Sequence, residues 1–222
     1  LETTKIGTEG TGTPLVTLRN FDDNHHLVSA DHRQNLNNRA NQLWHTDSSF
    51  KSIPAHASIL SAREVPLCGG DTHFVSMRAV YRILPNELKA RINGRYAIHS
   101  YATSRDAIDP KLMTQAERET LPPVRQPMVL HHGNELGPSL YLGSHVCAVE
   151  GFTQTEGQQL IRELMDFATQ PEFVFTHQWT QYDLVMWDNR AVIHRATPYL
   201  QSNDRRHMVR STIAGTPPTS VP

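Results

Sequence analysis

The feature that most narrows the fold of this chain is the brevity of its apolar runs. Stretches of β-branched, aliphatic and aromatic residues last only a few positions before Pro, Gly, Asn or Asp interrupts them, and 14 prolines and 12 glycines are spread over 222 residues. Runs of that length suit strands joined by turns. Segments 13–18, 55–62, 73–75, 128–132, 139–142, 172–179, 183–187, 191–194 and 207–214 read as strands. Helical signals are fewer. Ser76 can cap a helix over Met77–Ile83, and Pro85 suits the first turn of another that runs to about Ile92. Thr153 and Glu156 fit a capping box ahead of the stripe Leu160, Ile161, Leu164, Met165 and Ala168. Many short strands with few helices predict a mainly β fold with flanking helices, an antiparallel barrel or jelly roll.

The length fits a single domain over 1–222. Residues 1–40 are loop-rich. Within them, 20–38 is crowded with Asn, Asp, His and Arg and reads as a long surface loop, either a lid or a disordered segment. Segment 101–124 is polar, with Pro110, Pro122 and Pro123, and reads as an excursion from the core. The strands at 128–132 and 139–142 flank a Gly-Asn-Glu-Leu-Gly-Pro turn as a hairpin. A tail is expected over 216–222.

Formal net charge is −1, which leaves no electrostatic footprint for nucleic acid or an anionic membrane. No apolar run approaches the length of a membrane span. Cys68 and Cys147 make no disulfide framework. Reduced thiols in a cytoplasmic protein are the simplest reading, and one bridge is the alternative.

Chemistry concentrates in the stretch 44–50, Trp-His-Thr-Asp-Ser-Ser-Phe. Residues i and i+2 of an extended chain point the same way, so His45 and Asp47 can reach one cation together. With 13 histidines in the chain, such a pair also arises by chance in a polar turn. His194, which ends the stretch 187–194, offers a third ligand. Two imidazoles and one carboxylate make the facial triad of non-haem Fe(II) oxygenases, with positions left open. The same donors suit the zinc of a hydrolase. Downstream, Arg206 and Arg210 are four apart and share one face of a strand. Two cations on an inner face call for anions between them. A solvated basic edge is the alternative, and it is the better reading of Arg205 beside Asp204. The parity of Met208 and Ile213 does not decide between them.

Taken together, residues 41–50, Gly69-Gly70-Asp71-Thr72 followed by 76–79, and 185–190 with His194, Arg206 and Arg210 resemble ordered blocks of a known family. It is the taurine/2,4-dichlorophenoxyacetate (TauD/TfdA-type) Fe(II)/2-oxoglutarate-dependent dioxygenase family. The resemblance runs from about Asn41 to Gly215 and is nearer the aryloxyalkanoate branch. It implies a double-stranded β-helix that uses Fe(II), 2-oxoglutarate and O2. By resemblance, His45, Asp47 and His194 bind the metal at the catalytic centre. Thr72 and Arg206 hold a 2-oxoglutarate carboxylate, and Arg210 meets the substrate's acid group. The implied reaction is hydroxylation of a small acidic substrate, an aryloxyalkanoate such as 2,4-dichlorophenoxyacetate, with release of succinate and CO2. A taurine-like sulfonate dioxygenase and a truncated, non-catalytic metal-binding relative are the alternatives. The family's N-terminal segment is expected to be lacking before Leu1. The spacing from His194 to the arginines is one residue longer than the family pattern, within 201–204. A homo-oligomer is a further expectation.

Overall fold

The computed structural model describes residues 1–2, 14–132, 136–200 and 204–216. The expected hairpin turn at 133–135, the loop at 201–203 and the tail at 217–222 lie outside the described residues.

In chain order the elements are β1 (Leu15–Arg19), α1 (Arg33–Ala40), β2 (Ala55–Glu64), β3 (Thr72–Ser76), α2 (Met77–Ile83), α3 (Asn86–Ile92), β4 (Tyr96–His99), α4 (Tyr101–Asp106), α5 (Gln115–Thr120), β5 (Val124–Pro127), β6 (Val129–His131), β7 (Pro138–Leu140), β8 (Val146–Val149), α6 (Gln154–Ala168), β9 (Val174–His177), β10 (Leu184–Asp188), β11 (Val192–Ala196) and β12 (His207–Ala214). One antiparallel sheet has the order β1-β12-β2-β10, and a second has the order β11-β3-β9. Leu60, Ala62, Phe74, Trp187 and Met208 form a buried cluster between the two sheets. Burying each of the larger of these side chains contributes about 1.5–3 kcal/mol. The result is the expected jelly roll, with β12 as a central strand paired to β1 on one side and β2 on the other. Its even positions turn inward: Met208 and Thr212 are buried, and Arg206, just before the strand, is buried with them. Pairing thus decides the parity that the sequence left open. Arg205 faces the other way and meets Glu64 at 2.9 Å near the surface.

A second, larger core forms where α2, α3 and α6 cover β4, β7 and β8, with Ile92, Leu140, Leu160 and Leu164 fully buried. The helix starts follow the sequence signals. The Ser76 hydroxyl accepts from the Ala79 N–H, and Thr153 and Glu156 form a reciprocal capping box. The hairpin strands pair as β6 and β7.

Three expectations need correction. Part of the expected loop at 20–38 is helix: α1 spans Arg33–Ala40. Asparagines rather than aliphatics fix it, so no apolar period marks it in the sequence. Asn35 donates to the carbonyls of Val28 and Ser29, and Asn38 donates to that of Arg19. The segment 101–124 is not merely an excursion, because Tyr101, Ser104, Arg105, Leu112 and Met113 are buried. The expected strand at 172–179 begins as a 3-10 turn, Pro171–Phe173, ahead of β9. Strands β4, β5 and β8, which form a three-stranded sheet, carry no alternation that would have announced them. Cys68 and Cys147 are both free. Among the described residues, no helix is long and apolar enough to cross a membrane.

Candidate metal centre

His45 and His194 sit opposite each other in a bonded antiparallel pair. The His45 N–H donates to the His194 carbonyl at 3.0 Å, and the His194 N–H returns the bond at 2.8 Å. Directly opposed residues send their side chains to the same face, and the two rings lie 4.2 Å apart between centroids. Asp47 follows two residues after His45, and Ser48, at φ 58°, turns the chain away. One donor atom from each of the three residues lies within 4.8 Å of the other two. The Nε2 atoms of His45 and His194 stand 3.8 Å from Oδ1 and Oδ2 of Asp47, respectively. The structure therefore brings together the three side chains singled out in the sequence, and all three are buried.

Their protonation suits a cation. Nδ1 of His45 lies 2.7 Å from the Leu43 carbonyl, which can only accept. Nδ1 therefore carries the proton, and Nε2 presents its lone pair to the centre. Burial holds the proton affinity of both imidazoles below the usual histidine range, His194 most strongly. Burial alone would raise the Asp47 carboxyl. The charge of Arg210 and the hydrogen bond from the Ser58 hydroxyl pull the other way, and the group is held ionised. Two neutral imidazoles and one carboxylate are the form in which such side chains bind a divalent first-row metal.

A hydrogen-bond chain aims the carboxylate. Trp187 Nε1 donates to Asn189 Oδ1 at 2.9 Å, Asn189 Nδ2 donates to Ser58 Oγ at 2.8 Å, and Ser58 Oγ donates to Asp47 Oδ2 at 2.6 Å. Asn189 Oδ1 also receives the Asp47 N–H at 3.3 Å. Asn189 is thus the hub of the centre, and sequence reasoning gave it no role. Its only signal there was its place in the 185–190 block, since a polar residue in a turn looks ordinary. Ser58, inside an apolar strand, gave no signal either.

The remaining residues surround a cavity of about 470 Å³, open mouth included. Its walls include Leu60, Thr72, Trp187, His194, Arg206 and Arg210. Arg206 is buried, and its Nε donates to the Gly70 carbonyl at 3.1 Å. Gly70 lies at φ +70°, and a Cβ there would meet Pro66 Cγ at 2.7 Å and Arg206 Cδ at 3.3 Å. The glycine is what lets the arginine lie against the turn. Thr72 Oγ1 accepts from Trp179 Nε1 at 2.9 Å, which leaves its own proton free to point into the cavity. Arg210 donates from Nη1 to Asp47 Oδ1 at 2.7 Å, and its buried Nε has no acceptor among the described residues. The Trp187 ring packs 4.5 Å from that of His194. Trp44 packs outside the cavity, beneath the Arg195 guanidinium at 4.6 Å.

The model of the family described as taurine catabolism dioxygenase TauD, TfdA family, matches residues 5–212. The chain is 41% identical over 198 residues to the alpha-ketoglutarate-dependent 2,4-dichlorophenoxyacetate dioxygenase of Cupriavidus pinatubonensis, covering 89% of this chain and 69% of that protein. It is 37% identical over 186 residues to the (S)-phenoxypropionate/alpha-ketoglutarate-dioxygenase of Sphingobium herbicidovorans, covering 81% of this chain and 64% of that one. The crystal structure of AAD-2 in complex with Mn(II) and N-oxalylglycine superposes with a TM-score of 0.87 at 43% identity, over 94% of this chain and 75% of that one. These matches, on a jelly roll whose inner face carries two imidazoles and a carboxylate, establish that the chain belongs to the TauD/TfdA dioxygenase family.

Proposed function

We propose that the chain is an Fe(II)- and 2-oxoglutarate-dependent dioxygenase that hydroxylates a small aryloxyalkanoate acid, of which 2,4-dichlorophenoxyacetate is the model, with release of succinate and CO2. Relatives carrying those activities support the substrate class. The observation that carries the reading is the meeting of His45, Asp47 and His194 on the wall of a cavity that also holds a buried arginine, Arg206.

His45, Asp47 and His194 would hold Fe(II), which with 2-oxoglutarate and O2 supplies the oxidant for C–H hydroxylation. The chain's own residues bind and orient. Arg206 offers a planar guanidinium to the far carboxylate of 2-oxoglutarate. The Thr72 hydroxyl, which accepts from Trp179, donates its proton to the same carboxylate. Ser58 and Asn189 keep the Asp47 carboxylate from rotating. Arg210, anchored on Asp47, leaves Nε for the substrate's acid group and sets that group's distance from the metal position, a positioning role. The Trp187 ring excludes water beside His194. Hydroxylation next to an aryl ether oxygen gives a hemiacetal that collapses to a phenol and an oxo acid.

The described residues act as one domain, and the segment 20–41 supplies one wall of the cavity through Asn38 and Asn41. The near-zero net charge favours a small-molecule partner over nucleic acid or a membrane surface, and the two free thiols favour the cytoplasm. Self-association is read by sedimentation.

The test is succinate formation by anaerobically prepared protein given Fe(II), 2-oxoglutarate, O2 and a panel of aryloxyalkanoates and sulfonates. Aryloxyalkanoate-dependent succinate and phenol are expected. His45→Ala is expected to abolish both and to keep the far-UV circular dichroism of the parent. Undiminished turnover in that variant rejects the assignment. Metal binding with no turnover on any acid points to a non-catalytic relative, and turnover on sulfonates alone moves the substrate class.

A further inference from the structure

We propose that Arg105 is a second substrate-recognising cation, which together with Arg210 receives the acid group of the aryloxyalkanoate. The inference rests on the oxygenase reading above. Two arginines are buried among the described residues, Arg105 and Arg206, each 8% exposed. Neither takes part in an ion pair there: Arg206 bonds a backbone carbonyl, and Arg105 reaches a hydroxyl. A buried guanidinium without an anion is unfavourable, because its lost hydration is not replaced. A site that keeps one is built for an anion that arrives. The 2-oxoglutarate carboxylate answers Arg206. Arg105 is left over.

Its surroundings hold the guanidinium in place without neutralising it. Nη1 meets Ser104 Oγ at 3.3 Å, and the group lies 4.2 Å above the Tyr101 ring. The buried Nε has no acceptor among the described residues. From Tyr101, ring contacts lead back to the metal centre. Tyr101 is 6.1 Å from His145, and His145 is 6.2 Å from His45. Phe50 closes the group, 4.6 Å from Tyr101 and 4.9 Å from His145. The cation therefore borders an aromatic wall that begins at the metal position. That combination matches an aryl acid, with rings for its ring and a guanidinium for its carboxylate. Arg210 supplies the other guanidinium through its own Nε, which has no partner among the described residues. A carboxylate has two oxygens and enough lone pairs for both. Arg105 comes from α4 and Arg210 from β12, so the two cations are placed by separate elements.

The experiment compares phenoxyacetate with its neutral amide, phenoxyacetamide, on the parent protein, Arg105→Gln and Arg105→Lys. Binding is followed by calorimetry on Mn(II)- and 2-oxoglutarate-loaded protein without O2, and turnover is followed by succinate. Loss of a charge-assisted bond to the acid is expected to raise the phenoxyacetate Kd and KM of Arg105→Gln about 10- to 100-fold. The amide is expected to bind unchanged, so the preference for acid over amide collapses, while 2-oxoglutarate affinity stays within about twofold and reports an intact fold. Should Arg105→Gln fail that control, Arg105→Lys decides. It keeps the charge and loses the fork, and a several-fold rise in phenoxyacetate Kd alone supports the proposal, while an unchanged Kd overturns it. An unaltered acid-over-amide preference in Arg105→Gln also overturns it. Succinate formation with that preference untouched sinks Arg105 and keeps the oxygenase. Phenoxyacetate binding that depends on Arg105, with no succinate from any acid, keeps Arg105 and sinks the oxygenase.

Discussion

Asn189→Ala tests the centre through a residue that touches neither metal nor substrate. Asn189 is 1% exposed, and its amide meets the Trp187 indole N–H, the Asp47 backbone N–H and the Ser58 hydroxyl oxygen, with the Thr46 hydroxyl a longer contact at 3.5 Å. Alanine removes both amide atoms and offers nothing in return. The indole N–H and the Asp47 N–H lose their acceptor, and each buried donor left unpaired costs about 1–3 kcal/mol. The total loss is therefore about 2–6 kcal/mol, which for a chain of this size lowers Tm by about 4–24 °C. Ser58 also loses the donor that fixes its hydroxyl, so the Asp47 carboxylate is free to turn. Loss of such an outer partner lowers metal affinity about 10- to 100-fold. Differential scanning calorimetry of metal-free protein reads the first effect, and competition of bound Co(II) against a chelator reads the second. Asn189→Asp keeps the acceptor for Trp187 but loses the donor to Ser58, and it falls between parent and alanine in metal affinity. An alanine variant with parental Tm and metal affinity within twofold would refute the relay.

Two further outcomes follow from the geometry. His99 is fully buried, neither ring nitrogen has a partner among the described residues, and burial holds its pKa down at about 4. Below the unfolded value near 6.5 the unfolded chain takes up a proton that the folded chain refuses, so metal-free stability falls as pH drops. The part due to His99 is about 1.4 kcal/mol between pH 7.5 and 5.5. Urea midpoints should shift accordingly, and His99→Phe, which keeps a ring against Tyr141, should flatten the slope. An unchanged slope contradicts the assignment. Gly70→Ala forces a side chain into φ +70° and against Arg206. It should weaken 2-oxoglutarate at least about tenfold by calorimetry while sparing Co(II) affinity, and an unchanged Kd would remove Arg206 from the 2-oxoglutarate site.

Local signals carried much of the fold. The Ser76 cap and the Thr153 capping box rest on interactions within a few residues, and the strands that became β2, β3, β11 and β12 show as short runs of β-prone residues between breakers, so both kinds of signal are legible wherever the chain goes. The His45–Asp47 spacing and the distant His194 were legible too, because coordination chemistry limits which side chains can share one ion. Helix α1 was not, because buried asparagine amides bonded to backbone carbonyls replace the apolar stripe that pattern reading needs. By itself, then, the sequence determined a strand-rich chain with two imidazoles, a carboxylate and two arginines in a readable order. Only the tertiary structure decided that Arg206, just before β12, and Arg210, on it, turn inward, that Asn189 and Ser58 hold the carboxylate, and that Arg105 is buried with no anion among the described residues. Strand register and burial are set by partners far away in the chain, and no local spacing encodes them.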